Sequence, residues 1–144
     1  MAVSVEPGKP IRWGIVGLGK FAGEALVPAA RRSERAVIAA CASRELPKAR
    51  EFAARHNIPR VYESAAALVF DPEIDAVFVA TPNAEHVPVV LAAAAAKKHV
   101  LCEKPLALDV TAGFAAVRAC QAAGVVLRVG LHLRLEKSLQ RVAE

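Results

Sequence analysis

The stretch that decides the fold is residues 11–22, which read IRWGIVGLGKFA. The part at 11–16 is short and mostly apolar, as expected for a strand covered on both faces of a parallel sheet. The part at 17–22 matches the pattern G-x-G-x-x-G/A, and a helical pattern continues from it to residue 31. The sequence therefore predicts a strand, a tight glycine turn and a helix in immediate succession.

Three residues of this turn have separate physical roles. Gly17 allows the sharp turn, and Gly19 lets the backbone approach a pyrophosphate without a Cβ in the way. Ala22 keeps the helix close to the strand. The start of the helix then offers free N–H groups and the positive end of its dipole to an anion. The arrangement favours a dinucleotide site, and a glycine turn that binds nothing is the alternative.

The rest of the chain alternates β-branched runs with Ala-rich stretches, which is typical of βαβ units and a parallel sheet. Further strands are predicted at residues 36–42, 61–62, 76–80, 99–102 and 125–129. Helices are predicted at residues 20–31, 46–56 and 83–97, after Ser64, and from Asp109 to Gly124. We expect an α/β fold of the Rossmann type, a doubly wound parallel sheet with helices on both faces. Pro28 conflicts with the first helix and should bend it or end it early.

Length and composition fit one folded domain. The chain has 144 residues, of which 55% are apolar and 23% charged, which argues against disorder. No apolar run approaches the roughly 18 residues of a membrane span, and residues 1–10 lack the apolar part of a secretory signal, so a cytoplasmic protein is expected. The net charge is +5, but the basic residues are scattered, which argues against a nucleic-acid or membrane partner.

The three cysteines form no recognisable metal or redox motif. Cys41, Cys102 and Cys120 are far apart in the sequence, which has no CxxC or Cys/His metal spacing. Each of them lies in an apolar stretch. We therefore expect reduced structural thiols and no bound metal.

The second strand is followed by Ser43 and Arg44, where NAD enzymes usually have an Asp or Glu that binds the ribose 2′-hydroxyl. A carboxylate would repel a 2′-phosphate, whereas a hydroxyl and a guanidinium would bind it. The pair therefore favours NADP over NAD. NAD remains the alternative, because Glu45 is adjacent, Ser43 could cap the next helix and Arg44 could be a solvated side chain.

Two further polar motifs follow strands four and five, TPNAEH at 81–86 and CEKP at 102–105. Ligands of open α/β sheets bind at the carboxyl ends of the strands, so both motifs should face one crevice. Read alone, the first is an ordinary turn with a cap, and Glu103 with Lys104 is a surface pair. Lys104 is the best catalytic candidate, because a lysine in a partly dry cleft can stabilise an alkoxide or relay a proton. His86 is a second titratable group there, although a histidine at a helix start is more often structural.

Taken in this order, the motifs resemble the N-terminal domain of the glucose-fructose oxidoreductase, inositol dehydrogenase and rhizopine catabolism (Gfo/Idh/MocA) family. The resemblance covers about residues 12–134, and the Thr-Pro-Asn and Glu-Lys-Pro motifs are far more specific than the glycine turn. It implies a Rossmann domain that binds NADP, or alternatively NAD. It also implies an oxidoreductase that acts on CH–OH groups of sugars, polyols or related small molecules.

The resemblance implies a role for each motif residue. Four residues of the glycine turn would line the pyrophosphate: Gly17, Gly19, Lys20 and Phe21. Two residues would meet the adenosine ribose and its phosphate: Ser43 and Arg44. Three would flank the middle of the cofactor: Thr81, Asn83 and His86. Three would approach the nicotinamide: Glu103, Arg134 and Lys104, the last also touching the substrate.

The chain departs from the family in two ways. Lys137 stands near where members often have proline, and the chain stops at Glu144, before the family's C-terminal α/β domain. In the family that domain supplies an Asp and a His to the active site and usually pairs the subunits; His132 is no substitute, because it lies within the Rossmann portion. We therefore expect a Rossmann domain at 1–134 and the start of a connection at 135–144. We also expect a homo-oligomeric full-length parent and little turnover by these residues alone.

Two other functions are carried as hypotheses. A non-catalytic NAD(P)-binding module, regulatory or truncated, would keep the fold without using Lys104. A methyltransferase that binds S-adenosylmethionine would share the glycine turn, but the motifs at 81–83 and 103–105 argue against it. Titrations with NADPH, NADH and S-adenosylmethionine would discriminate between these classes.

Overall fold

The computed structural model describes residues 8–131, which build a six-stranded parallel sheet. The strands are β1 (Ile11–Val16), β2 (Ala36–Ala42), β3 (Arg60–Tyr62), β4 (Ala76–Val79), β5 (His99–Cys102) and β6 (Leu127–Val129). Their order across the sheet is β3-β2-β1-β4-β5-β6, and every neighbouring pair is parallel. The winding reverses between β1 and β4, so the carboxyl ends of these strands border a crevice. The predicted doubly wound sheet is confirmed.

The α-helices of the described residues are α1 (Val27–Arg31), α2 (Leu46–Arg55), α3 (Ala65–Val69), α4 (His86–Ala95) and α5 (Val110–Ala123). Two of the predicted caps are confirmed: Ser64 Oγ accepts from the Ala67 N–H at 3.1 Å, and Asp109 Oδ1 accepts from the Ala112 N–H at 2.8 Å. Gly124 ends α5 with a φ of 70°. Among residues 8–131, no helix has the length and apolar character needed to cross a membrane.

The helix after the glycine turn resolves the conflict at Pro28. Residues Ala22–Leu26 are wound as a π-helix, in which the Val27 N–H bonds to the Ala22 carbonyl. Pro28 then lies in the first turn of α1, directly after this π-helical turn. The helix therefore changes its winding beside the proline instead of ending there.

Two elements begin later than the sequence predicts. β6 begins at Leu127 rather than at residue 125, because the Val125 N–H bonds to the Cys120 carbonyl and closes the end of α5. The helix predicted from residue 83 starts as a 3-10 turn, Asn83–Glu85, and becomes α-helical at His86. That start places the proline at position 88 in the first turn of α4. β3 begins one residue earlier than predicted, and β4 and α2 each end one residue earlier than predicted.

Apolar side chains fill the space on both faces of the sheet. On one face, Val16, Val77 and Val79 are buried with residues of α3, α4 and α5. On the other, Ile15 and Phe78 are buried with residues of α2 and of the helix after the glycine turn. Successive strand residues alternate between the two faces. Packing from both sides thus fixes the strand ends that border the crevice.

The second of these faces also carries a shallow apolar groove, which we call the sheet groove. It has a volume of about 360 Å³ and is formed by residues of β1, β4, β5 and β6. Trp13, the only tryptophan of the chain, lies in it beside Ile11 and Leu101. The sheet groove lies toward the amino ends of the central strands, away from the crevice.

A network of charged groups lies at the amino ends of the strands. Asp75 is buried and accepts hydrogen bonds from Arg12 Nε at 3.0 Å, Nη2 at 2.8 Å and the backbone N–H at 2.8 Å. Burial raises the pKa of Asp75, but the hydrogen bonds and charge of Arg12 outweigh it and leave the pKa below its ordinary value. Lys98 is 5% exposed, burial lowers its pKa, and its Nζ donates to the Asp71 and Ile74 carbonyls. This network stabilises the end of the sheet opposite the crevice.

The three cysteines are buried and unpaired, as the sequence predicts. Burial raises the pKa of Cys41 to about 11; burial and the nearby Glu103 charge raise that of Cys102 to about 12. Burial also raises the pKa of Cys120. These thiols are structural rather than reactive. Within the described residues, no cluster of three or more His, Cys, Asp or Glu side chains could hold a metal ion.

Candidate functional site

The two glycines of the turn after β1 meet different surroundings. Gly17 has a φ of 95°, and a Cβ on it would overlap the Ala80 carbonyl group and the Thr81 nitrogen. The turn after β1 therefore packs directly against the chain that leaves β4. A Cβ on Gly19 would meet no described protein atom within 4 Å, so the space beside Gly19 is open. Ala22 is fully buried, in agreement with its predicted role of letting the helix approach the sheet.

A cavity of about 810 Å³, the main cavity, lies over the carboxyl ends of β1, β2 and β4. It is large enough for a sizeable cofactor fragment. Five of the predicted cofactor residues line it: Gly17, Gly19, Ser43, Arg44 and Thr81. They come from three separate loops, which the strand order brings to one edge of the sheet.

Charged side chains of the main cavity form two ion pairs. Arg44 Nη2 lies 3.1 Å from Glu85 Oε1, and Lys48 Nζ lies 3.8 Å from Glu45 Oε1. Ser43 Oγ accepts a hydrogen bond from the Glu45 N–H at 3.2 Å. The N-cap of α2 is Glu45, so Ser43 stabilises the turn before the helix and keeps its hydroxyl proton to donate.

A second cavity of about 330 Å³, the side cavity, lies toward β5. Five predicted site residues line it besides Thr81: Phe21, Asn83, His86, Glu103 and Lys104. Ala80 and Thr81 border both cavities, so the two cavities adjoin at these residues, and we refer to them together as the cleft. An elongated cleft over the point where the sheet reverses its winding suits a dinucleotide.

Thr81 has an unsatisfied group in the middle of this cleft. Its Oγ1 is buried and has no hydrogen-bond partner within residues 8–131. A buried hydroxyl without a partner costs about 1–3 kcal/mol. Native proteins rarely leave such a group unpaired, so this position suits a polar atom of a bound ligand.

His86 joins the loop after β4 to the loop after β5. It is 1% exposed, with Nδ1 2.7 Å from the Pro105 carbonyl oxygen and Nε2 2.9 Å from the Thr81 carbonyl oxygen. Carbonyl oxygens only accept, so a neutral ring donates to one of the two, and the tautomer decides which. The structure thus places His86 in the wall of the side cavity, with both ring nitrogens facing protein carbonyls.

The loop that carries Lys104 is held on two sides. The Glu103 N–H bonds to the Val79 carbonyl at 2.9 Å, and Glu103 Oε2 accepts from the Lys104 N–H at 3.3 Å. A Cβ on Gly130 would lie 3.0 Å from Glu103 Oε1, so the glycine makes room for that carboxylate. The Lys104 side chain is exposed at the side cavity. It is the cation among the described residues that line this cavity.

Some predicted residues are not brought to the cavities, or lie elsewhere than expected. Lys20 is 83% exposed, lies 3.7 Å from Glu24, and is not among the residues of either cavity. Phe21 stacks on Phe78 and borders the side cavity rather than the main one. Arg134 falls outside the described residues. So do His132 and the predicted connection at 135–144, which includes Lys137.

Sequence reasoning did not assign several residues that line the main cavity, among them Lys48, Ser64, Glu85 and Val89. Glu85 belongs to the motif at 81–86, and Lys48 follows Arg44 by one helical turn, so attention to neighbours of the motifs would have found both. Ser64 has no such signal, because it reaches the cavity only through the position of β3 beside β2.

Two enzymes of known name are similar in sequence. Trans-1,2-dihydrobenzene-1,2-diol dehydrogenase of Danio rerio is 46% identical over 100 residues, which are 69% of this chain and 30% of the relative. 1,5-anhydro-D-fructose reductase of Ensifer adhaerens is 39% identical over 123 residues, which are 85% of this chain and 37% of the relative. The chain therefore spans about a third of the length of these relatives.

Two solved structures are similar in fold. KijD10, a 3-ketoreductase from Actinomadura kijaniata solved with NADP and TDP-benzene, matches with a TM-score of 0.88 and 29% identity, over 94% of this chain and 41% of that one. An oxidoreductase from Agrobacterium radiobacter, solved with NAD+, L-tartaric acid and magnesium, matches with a TM-score of 0.86 and 31% identity, over 93% of this chain and 39% of that one.

The family model described as "Oxidoreductase family, NAD-binding Rossmann fold" matches residues 11–131, nearly all of the described part of the chain. The match begins with β1 and includes the glycine turn and both loop motifs. The chain belongs to the Gfo/Idh/MocA family of oxidoreductases and comprises its NAD(P)-binding Rossmann domain.

Proposed function

We propose that the chain binds NADP(H), with NAD(H) as the weaker ligand, for an oxidoreductase that interconverts hydroxyl and carbonyl groups of sugars, polyols or related small molecules. One observation carries the proposal: the glycine turn and Lys104 lie on one cleft, joined at Ala80 and Thr81. A dinucleotide with its pyrophosphate at the turn would extend past Thr81 toward Lys104.

Several groups of the cleft fit the separate parts of the cofactor. Gly19 has open space beside it, and the helix that follows has free N–H groups for a pyrophosphate. The Ser43 hydroxyl and Arg44 guanidinium would bind a ribose 2′-phosphate. The Thr81 hydroxyl, unpaired among the described residues, would bind a polar atom near the middle of the cofactor. Lys20, although exposed, adds positive charge at the rim of the turn.

The side cavity supplies the residues for proton movement. When bound, the nicotinamide ring exchanges a hydride with the substrate carbon. The Lys104 ammonium group would stabilise the developing alkoxide and donate the accompanying proton when a carbonyl is reduced, and its neutral amine would accept the proton when a hydroxyl is oxidised. His86 holds the Pro105 carbonyl and the Thr81 carbonyl, so it would position the loop that presents Lys104.

The relatives support the class of substrate. The diol dehydrogenase and the anhydrofructose reductase are both named for a hydroxyl or carbonyl group on a small ring compound. The 3-ketoreductase is named for a keto group. We propose a small, polar substrate of this kind. We also propose that the full-length protein is a homo-oligomer.

A titration of the chain with three ligands tests the proposed cofactor. We expect NADPH to bind more tightly than NADH, and S-adenosylmethionine not to bind, because Arg44 and Ser43 suit a 2′-phosphate. Cofactor fluorescence and the melting temperature are the measurements. Stabilisation by S-adenosylmethionine alone, or by none of the three ligands, would contradict the proposal.

Replacement of Lys104 tests the proposed chemistry. In the full-length parent enzyme, the variant Lys104→Met should lose about 100-fold or more in the turnover of a carbonyl substrate, because the proton donor is removed. The dissociation constant of NADPH should stay within about threefold, because the main cavity is untouched. Turnover equal to that of the unmodified protein would favour a non-catalytic binding module.

A further inference from the structure

The Arg44–Glu85 ion pair spans the main cavity. Arg44 lies on the loop after β2, and Glu85 lies in the 3-10 turn after β4, so the pair links two walls of the cleft that are separated by β1. The two side chains are 80% and 36% exposed, and both line the cavity. The guanidinium that would bind a 2′-phosphate thus already has a carboxylate partner.

The charges of the main cavity are balanced. Within residues 8–131, its charged lining residues are Arg44, Glu45, Lys48 and Glu85, two cations and two carboxylates. Glu45 is adjacent to Arg44 in sequence, but its carboxylate lies 3.8 Å from Lys48 Nζ, within a single turn of the same helix. Glu85 is 41 positions away in sequence and is the carboxylate that Arg44 contacts, at 3.1 Å. Any effect of an acidic residue on the Arg44 guanidinium should therefore come mainly from Glu85.

We propose that Glu85 sets the selectivity between NADP and NAD by competing with the ribose 2′-phosphate for Arg44. This inference rests on the proposed function, because it assumes that the main cavity binds the adenosine end of a dinucleotide. A 2′-phosphate that pairs with Arg44 must displace the Glu85 carboxylate from the guanidinium. A 2′-hydroxyl does not make this demand, so NAD binds with the ion pair intact.

The competition predicts a moderate preference for NADP rather than a strict one. Arg44 and Ser43 favour the phosphate, and Glu85 removes part of that advantage. The pair is largely solvent-exposed, and exposed pairs of this kind are weak. We therefore expect Glu85 to lower NADPH affinity about three- to fivefold, near the upper end of the range for a single exposed ion pair.

The test compares NADPH and NADH binding to the chain and its variant Glu85→Gln. Glutamine keeps the shape of the side chain and removes the charge. We expect the dissociation constant of NADPH to fall about three- to fivefold, while that of NADH changes less than about twofold. Added salt should reduce the gain, because screening weakens the interaction of exposed charges.

Glu45→Gln is the matched control, because it removes the same charge from the same cavity but from a side chain that contacts Lys48. Glu45→Gln should give less than half of the gain in NADPH affinity that Glu85→Gln gives. A second control combines Glu85→Gln with Arg44→Gln. Without the guanidinium, removal of the Glu85 charge should no longer improve NADPH binding, and this double-mutant cycle isolates the pair.

The results separate the two proposals. Three results would overturn the role of Glu85 without contradicting the dinucleotide site. They are equal gains in NADPH affinity in the Glu85 and Glu45 variants, an equal gain in NADH affinity, and a gain in NADPH affinity that persists without Arg44. Failure of the unmodified chain and all variants to bind either cofactor, with unchanged melting temperatures, would overturn both proposals. A selective gain for NADPH that requires Arg44 supports both.

Discussion

Gly17 and Gly19 are two positions apart, yet the structure itself requires glycine only at Gly17. At Gly17 the backbone has a φ of 95°, and a Cβ would overlap the Ala80 and Thr81 backbone. At Gly19 the position of a Cβ is open. The first glycine is therefore needed for folding, and the second leaves room for a ligand.

Alanine substitutions should separate these two roles. Gly17→Ala is expected to destabilise the chain by at least about 2 kcal/mol, because it combines backbone strain with a backbone clash. Gly19→Ala should leave the free energy of unfolding within about 0.5 kcal/mol and weaken NADPH binding about tenfold or more, because its Cβ fills the space beside the pyrophosphate. Urea denaturation and cofactor titration measure the two effects, and each variant is the control for the other. Tight NADPH binding by Gly19→Ala would contradict the proposed pyrophosphate position.

The buried Asp75 should make stability depend on acid pH. Its folded-state pKa lies below the ordinary value, so its contribution is complete above about pH 5 and is lost as the pH falls through the folded-state pKa. Asp75→Asn should lower the free energy of unfolding at neutral pH by about 1–3 kcal/mol and flatten the acid side of the profile.

The control for Asp75 is Glu73→Gln. Glu73 also contacts Arg12, at 2.7 Å, but its side chain is 62% exposed. We therefore expect Glu73→Gln to lower the free energy of unfolding by less than about 1 kcal/mol. Urea denaturation between about pH 2 and 8 gives both values. Equal effects of the two substitutions would show that burial does not determine the strength of the interaction.

Candidate residues were predictable where the signal is local. The strand-turn-helix pattern identified Gly17 and Gly19, and polar residues at strand ends identified Arg44 and Lys104, all of which line the cleft. The Arg44–Glu85 contact was not predictable, because it depends on two loops that meet only through the strand order. Sequence alone pointed to the adjacent Glu45.

At the scale of elements, His86 connects the starts of two loops, each of which follows a different strand. Its ring nitrogens lie 2.7 Å and 2.9 Å from the Pro105 and Thr81 carbonyl oxygens. Removing the ring would leave one of these carbonyl groups without its donor. The loops after β4 and β5 would then lose their direct side-chain connection.

His86→Leu should therefore lower the free energy of unfolding by about 1–3 kcal/mol while keeping an apolar side chain in the buried position. Hydrogen exchange of the amides near Thr81 and Lys104 should become faster, because the loops are no longer joined. His86→Asn retains one donor group and should lose less stability. A leucine variant as stable as the unmodified chain, with unchanged exchange, would contradict the positioning role.

The ends of the helices were predictable to the extent that they depend on nearby side chains. Ser64, Asp109 and Gly124 cap helices as their residue types predict. The π-helical winding beside Pro28 was not predictable in detail, because propensity identifies the conflict but not its solution. The start of β6 was also misplaced, because a carbonyl of α5 takes the Val125 N–H.

At the scale of the whole molecule, the alternation of strands and helices was enough to predict the doubly wound sheet. Right-handed crossovers leave few ways to arrange parallel strands. The crevice then follows from the reversal of winding between β1 and β4. The sheet groove was not predicted, because which parts of a face are covered depends on the final positions of all helices.

The fluorescence of Trp13 provides a probe of cofactor binding at a distance from the cleft. Trp13 lies on β1, four residues before Gly17, so the start of the cleft is about 13 Å away along the strand. Tryptophan emission overlaps the absorption of a reduced nicotinamide, and bound NADPH should therefore quench it by energy transfer. Bound NADP+ lacks this absorption and should quench far less, which makes it the matched control. Equal quenching by the two forms would show that the effect is not energy transfer.

The distribution of the cysteines has a practical consequence for how unfolding could be followed. Cys41 lies among the buried residues of one side of the sheet, and Cys102 and Cys120 lie among those of the other. All three thiols are buried and protonated in the folded protein. A thiol reagent should therefore modify each cysteine only when the side of the sheet that buries it opens. Mass spectrometry of the labelled peptides would then reveal which layer of the protein comes apart first.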